Sequence, residues 1–146
     1  MKKIIFICSG NTCRSPMAEG IFKVLLEKKG IEGFVCESAG THAFAGDPAQ
    51  PNAVLVAADH GADISEHRSR KYNPLMARDI DLFVCMSAQH ALMLEGADKE
   101  KIRILAGGVA DPFGGSLDLY KATANQIAEG LLDLLEELTA KNENSL

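Results

Sequence analysis

Short apolar runs alternating with helix-like patterns predict an α/β fold of the doubly wound kind: a four-stranded parallel sheet flanked by helices on both faces. Three observations carry this reading. Four apolar runs of strand length recur along the chain, helix start and stop residues bracket the stretches between them, and the first run leads through a polar, glycine-bearing turn into a helix. With 146 residues, no repeats and no linker-like shift in composition, one domain spanning 1–146 is expected.

The strands are expected at Lys3–Cys8 (KIIFIC), Phe34–Ser38 (FVCES), Asp81–Met86 (DLFVCM) and Lys101–Ala106 (KIRILA). Such runs suit a parallel sheet covered on both faces. The first helix begins at Pro16, a favoured first-turn residue, presents Met17, Ile21 and Leu25 at a spacing of four, and stops at Gly30. Pro51 and Gly61 bracket a second helix. Asn73 before Pro74 marks a short third, and Ser87 caps a fourth. Ser116 caps a long last helix with Leu119, Ile127, Leu131, Leu134, Leu135 and Leu138 on its inward side. The end, Lys141–Leu146, is expected to fray. In such sheets ligands bind beyond the carboxyl ends of the strands, where strand order reverses. The turn after strand one is the expected site.

Composition narrows the function classes. No apolar run approaches the ~18 to 20 residues that span a bilayer, and the opening MKKIIFICSG has too short an apolar core for a signal peptide. A cytoplasmic protein is expected, without a membrane partner. The net charge of −5 gives little support to a nucleic-acid partner, and the basic cluster His67–Tyr72 (HRSRKY) reads as a solvated turn. In a reducing compartment the four cysteines, Cys8, Cys13, Cys36 and Cys85, are thiols with chemical roles rather than a stapled framework. A monomer is the default, because no extended apolar stripe is left over once the helices dock.

The turn itself, Cys8–Pro16, reads CSGNTCRSP. A loop entering a helix N-terminus exposes main-chain N–H groups and the positive end of the helix dipole, which together cradle an anion. Gly10 lets the backbone wrap tightly, and Asn11 tolerates left-handed geometry. The planar fork of Arg14 holds two oxygens of a phosphate at once. The same potential favours the thiolate of Cys8, the nucleophilic form, and the Ser15 hydroxyl is placed to donate to it. A lone cysteine after a strand is more often a small core residue. That alternative does not explain the glycine, asparagine, arginine and proline at matched spacing.

The chain resembles the low-molecular-weight protein tyrosine phosphatases, whose signature C-x-G-N-x-C-R-S-P is matched by Cys8 to Pro16. ESAGTHA (Glu37–Ala43), HRSR (His67–Arg70) and DPFGGS (Asp111–Ser116) follow in the family's order at about its spacing. The resemblance implies a phosphocysteine mechanism without metal or cofactor, acting on phosphorylated proteins and releasing inorganic phosphate. Carried over, Cys8 is the nucleophile, and Arg14 stabilises the phosphoryl group with the loop residues Ser9, Gly10, Asn11, Thr12, Cys13 and Ser15. Asp111 is the general acid and then the base. Asn11 and Ser15 support the loop, as do Ser38 and His67. Taken alone, Asp111 in an Asp-Pro-x-Gly sequence also reads as a turn organiser.

Two positions bear on the phosphorylated side chain. Thr12 stands where tyrosine-directed members carry a bulky aliphatic residue, and Phe113 is followed by Gly114 and Gly115 rather than by a second aromatic. Both resemble the bacterial protein arginine phosphatase branch, so phosphoarginine is the expected substrate and phosphotyrosine the alternative. A thiol-dependent arsenate reductase is a more distant reading, since Cys36 and Cys85 lie inside strands rather than on a mobile relay. A binding-only module would need neither Cys8 nor Asp111. Cys13, five residues after Cys8, reads either as core packing or as a partner in a reversible protective disulfide. Tyr120 is either a packing residue or a phosphorylation site, and His42, His60 and His90 read as surface or packing residues.

Overall fold

The computed structural model describes residues 1–144, with side chains through Ala140; of the expected fraying end, Lys141–Leu146, the backbone of 141–144 continues the last helix and the remaining two residues lie outside the described residues. The four strands are all parallel: β1 (Lys2–Cys8), β2 (Phe34–Gly40), β3 (Leu82–Cys85) and β4 (Ile102–Ile104), in spatial order β2-β1-β3-β4. The α-helices are α1 (Arg14–Lys28), α2 (Pro51–Asp59), α3 (Ala88–Leu92) and α4 (Leu117–Asn144). The chain moves from β1 to one side for β2 and to the other for β3. The carboxyl end of β1 is therefore the switch point that the sequence predicts for the site.

β1 is central because both of its faces are apolar. Ile4, Phe6 and Cys8 join Met17, Phe22, Val56, Ile127 and Leu131 of α1, α2 and α4 in one core. Ile5 and Ile7 join Tyr72, Ile80, Phe83 and Leu94 in the other. Residues Ile4 to Cys8 are at most 2% exposed, and each large side chain so buried contributes about 1.5–3 kcal/mol. Edge-to-face aromatic pairs mark both layers, Phe6 with Phe22 at 5.7 Å and Tyr72 with Phe83 at 6.3 Å. The two layers are unequal, since α1, α2 and α4 cover one face while the other is covered by α3 and a 3-10 turn at Pro74–Asp79.

Several local expectations hold. Gly30 and Gly61 follow α1 and α2 in left-handed conformation (φ 64° and 81°). The Asn73 side chain accepts from Leu75 N at 2.9 Å, Ser87 from His90 N at 3.3 Å and Ser116 from Leu119 N at 3.2 Å. β4 is shorter than Lys101–Ala106, because the chain leaves the sheet at Leu105 into a turn with Ala106, Gly107 and Gly108 at positive φ. Leu119 does not face the core: it is 47% exposed, and it occupies the space where a side chain at Gly115 would stand. Tyr120 and Ala124 take the inward positions at that end of α4. Among the described residues, no helix is long and apolar enough to cross a membrane.

Candidate active site

Strand pairing sets Cys8 opposite Gly40, at the carboxyl ends of β1 and β2. A side chain at Gly40 would collide with the main chain of Ser9 and Asn11, so its absence lets β2 end against the loop. The chain then reverses through Asn11, at φ 56°, and enters α1 at Arg14. Neighbours take the loop's carbonyl groups: Thr41 N bonds Cys8 O, His42 N bonds Ser9 O and Gln50 N bonds Thr12 O, each at 2.9 Å. The N–H groups of Gly10 to Ser15 have no hydrogen-bond partner among the described residues. With its carbonyls spent outward, the loop keeps a set of donors at a helix N-terminus, the arrangement that binds a tetrahedral oxyanion.

The wholly buried side chain of Asn11 holds this shape. Its Nδ2 donates to Ser15 Oγ at 2.7 Å and Ser38 Oγ at 3.0 Å, and its Oδ1 accepts from Arg70 N at 3.0 Å. Its carbonyl accepts from His67 Nε2 at 2.7 Å, which requires the proton to sit on that nitrogen. Because Ser15 Oγ accepts from Asn11, its own proton is free for Cys8 Sγ, 2.9 Å away. Correspondingly, α1 has no side-chain cap.

The basic cluster His67–Tyr72 is a brace rather than a solvated turn. Arg70 Nε donates to Ser38 O at 2.9 Å and its Nη2 meets Glu37 at 2.6 Å, while Ser69 and Tyr72 are buried. Burial acts to raise the Glu37 pKa, but the hydrogen bond and charge of Arg70, with Lys3, outweigh it and hold the carboxyl below its usual range. The error of the sequence reading lay in judging the segment by charge, when its main chain bonds the end of β2 through Gly40 N to Arg70 O and Tyr72 N to Gly40 O.

Arg14 is 5% exposed, and its Nη1 donates to Val109 O at 2.8 Å. Its Nη2 lies 3.6 Å from Asp111 Oδ2, and its buried Nε has no hydrogen-bond partner. One edge of the guanidinium is thus anchored while donors remain for an anion. Asp111 organises the turn, as its Asp-Pro-x-Gly sequence allows, its Oδ1 accepting from Phe113 N at 3.0 Å, and its Oδ2 faces Arg14. Half of its side chain is exposed. Phe113 is 66% exposed, and Thr12 is half-buried at the loop.

Cys13 is buried, and burial pushes its thiol pKa up, opposed in part by a 3.3 Å hydrogen bond with Tyr120. Tyr120, 2% exposed, is thereby a packing residue, with its own hydroxyl pKa raised first by burial and then by Cys13. Cys36 and Cys85 are buried in β2 and β3, where desolvation pushes both thiols up to about 12. Among the described residues, no group of three His, Cys, Asp or Glu side chains is placed to hold a metal ion.

Two site features escaped the sequence reading. His90 is buried, with Nε2 2.8 Å from Ser9 Oγ of the loop. Phe44 is 79% exposed on the Thr41–Gln50 segment that bonds the loop's carbonyls. The signal available for His90 was its place three residues after a capping serine beyond a strand end, which has no meaning until β3 is paired with β1. For Phe44 it was an aromatic residue in a polar, glycine-containing stretch.

Known proteins are similar to this chain over most of its length. The chain is 37% identical to the protein-arginine-phosphatase of Bacillus subtilis, covering 92% of this chain and 95% of that one. It is 33% identical to a low molecular weight protein-tyrosine-phosphatase of Streptomyces coelicolor, covering 92% and 94%. Its fold matches that of the YwlE arginine phosphatase, solved as a mutant with a phosphorylated active-site serine, with a TM-score of 0.87, 35% identity and coverage of 94% and 95%. A sequence model of the low molecular weight phosphotyrosine protein phosphatases matches residues 3–144, and with the cradle of Cys8, Arg14 and Asp111 inside that span, the chain belongs to this family.

Proposed function

We propose that this protein hydrolyses phosphoarginine in proteins through a phosphocysteine intermediate. The observation that carries the reading is the convergence on one loop of the Cys8 sulfur with its Ser15 donor, the free Nε of Arg14 and the unpartnered amides of Gly10 to Ser15. In the first step the Cys8 thiolate attacks phosphorus, the S–P bond forms as the P–N bond breaks, and Asp111 gives its proton to the departing guanidino nitrogen. In the second, water attacks phosphorus, Asp111 takes its proton, the S–P bond breaks and inorganic phosphate leaves. Arg14 and the amides hold the phosphoryl oxygens throughout. Asn11, Ser38 and His67 keep the loop in shape.

Thr12 and Phe113 support the choice of substrate. The Thr12 hydroxyl offers a polar wall to a guanidino group, Asp111 offers its nitrogen a carboxyl proton, and Phe113 provides one aromatic surface before two glycines. The arginine-directed relatives agree with this reading. Phe44 favours phosphotyrosine as the second reading, because a second exposed aromatic on a bordering segment gives a phenol ring another surface to stack on. Arsenate reduction is disfavoured by the deep burial of Cys36 and Cys85. We further propose a cytoplasmic monomer acting on phosphorylated proteins, with Cys13 able to protect an oxidised Cys8 as a disulfide.

Turnover of a phosphoarginine peptide and a phosphotyrosine peptide at neutral pH, with the Cys8→Ser variant as control, tests the proposal. Preference for phosphoarginine that vanishes in the control supports it. Preference for phosphotyrosine keeps the mechanism and overturns the substrate. Thr12→Ile is expected to lower phosphoarginine turnover selectively, and equal loss on both peptides counts against a role for Thr12.

A further inference from the structure

The phosphate loop is pinned unevenly. Its Asn11 side has three side-chain partners, Ser15, Ser38 and His67, and a main-chain one, Arg70 N. Its Ser9 side, next to the nucleophile, has a main-chain bond from His42 N and one side-chain partner, His90. Gly10 beside it is exposed and carries no side chain to anchor.

His90 is built into this position from the other side of the sheet switch point. Pairing of β3 with β1 brings the two carboxyl ends together, and Met86 N bonds Ile7 O at 2.9 Å. α3 follows at once, capped by Ser87, and presents His90 toward the loop. Both ring nitrogens are engaged by hydroxyl groups, Nε2 with Ser9 Oγ at 2.8 Å and Nδ1 with Ser87 Oγ at 2.9 Å. Ser87 Oγ already accepts the His90 main-chain N–H, so its own proton is best directed to Nδ1. That leaves Nε2–H to donate to Ser9. Burial, then the nearby Arg14 charge, lowers the ring's pKa to about 4 against an opposing pull from Asp111, with His42 adding to the depression. The ring is therefore neutral at neutral pH, and it orders the loop without competing with Arg14 for the anion.

We propose that His90 is a positioning residue for phosphoryl transfer: through Ser9 it holds the nucleophile side of the phosphate loop in its anion-binding form. The catalytic part of this inference rests on the phosphatase reading, but the loop-holding part does not. The test therefore pairs an activity with a binding measurement. Hydrolysis of a simple aryl phosphate reports on the chemistry whichever side chain is the natural substrate, and calorimetric titration with inorganic phosphate reports on the loop alone.

His90→Phe keeps a ring of similar size and removes both nitrogens. It and Ser9→Ala are each expected to lower kcat/KM and phosphate affinity about 5- to 10-fold, the loss of roughly one hydrogen bond's worth of organisation. The double variant is expected to be no worse than the singles, because both remove the same link. His90→Gln, whose amide can still donate near the position of Nε2, is expected to recover part of both. Parental kcat/KM and phosphate affinity in His90→Phe would overturn the proposal. So would losses that multiply in the double variant, or a His90→Gln variant no better than Phe, since either pattern marks general packing damage. A parent that binds phosphate with the predicted coupling but hydrolyses nothing would overturn the phosphatase reading while upholding the loop-holding role.

Discussion

The phosphate loop, Cys8–Ser15, and the acid loop, Val109–Ser116, meet at Arg14 but are held in opposite ways. In the first, Cys8, Asn11, Cys13, Arg14 and Ser15 are buried, and side chains from β2, the His67–Tyr72 brace and α3 bond to it. In the second, Asp111, Phe113 and Gly114 are exposed; the buried Val109 ties its start to Met86 O and to Arg14, Ser116 caps α4 at its end, and between them the contacts are the turn's own bonds, Phe113 N to Asp111 and Gly115 N to Pro112 O, with the link from Asp111 to Arg14. Phosphoryl transfer needs its oxyanion donors in place before the reaction, since reorganising them during it would add to the barrier. Proton delivery and contact with the rest of the substrate tolerate an open loop. On the proposed function, the nucleophile and the oxyanion donors therefore fall in the braced loop together with Thr12, while proton delivery by Asp111 and the substrate contact of Phe113 fall in the open one.

The sharpest ways to break this division are at the reacting groups. Cys8→Ser is expected to lower turnover at least about 10^4-fold, measured on either phosphopeptide, with the fold retained because a hydroxyl fits where the thiol was. Asp111→Asn is expected to lower kcat by about 10^2- to 10^4-fold on substrates with poor leaving groups. The loss should shrink on aryl phosphates whose phenolate leaves without protonation. Asparagine retains the oxygen that accepts from Phe113 N, so the turn persists and the effect isolates the proton. An equal loss across leaving groups would make Asp111 a turn organiser after all.

Stability should separate the two loops as well. Asn11→Ala removes the bonds to Ser15, Ser38 and Arg70 N and places alanine at positive φ, for an expected loss of about 2–4 kcal/mol in urea unfolding. Phe113→Ala, at an exposed position, is expected to stay within about 0.5 kcal/mol of the parent while changing KM and the preference between phosphopeptides. A large stability loss from Phe113→Ala would mean that the acid loop is as much a part of the packed structure as the phosphate loop.

What sequence could reveal follows the same division. Cys8 and Arg14 were legible because one contiguous turn carries them, and the strands because β1 and β3 are apolar at every position the core needs. Ser38, His67 and Asp111 were legible through family resemblance, their contacts being long-range. His90 was not, because its partner Ser9 lies 81 positions away and the link depends on which strand sits beside β1. Arg70 was misjudged for the same reason: a cationic segment looks solvated until the end of β2 lies alongside it. Leu119 was misjudged because helical spacing assigns a face but not where along its length the core ends, and the first turn of α4 overhangs the acid loop instead.

The smallest expected effect concerns the brace behind the phosphate loop. Arg70 and Lys3 hold the Glu37 carboxyl below its usual range despite partial burial, so the folded protein binds a proton there less readily than the unfolded chain does. The sign follows from linkage: the contribution is fully present above the unfolded value, about 4.3 for a glutamate, and is lost as pH falls from there through the lower folded value. Glu37→Gln is expected to remove that part of the acid dependence, giving a shallower loss of stability below about pH 4.3 than in the parent, with little change at neutral pH because the pair is partly solvated. Activity at neutral pH should hardly move, since Arg70 still bonds Ser38 O and its main chain still bonds Asn11. If Glu37→Gln instead cost activity comparable to that lost on removing Asn11, the brace would be part of the preorganised half of the site rather than its support, and the boundary drawn around the braced loop would have to move outward to include it.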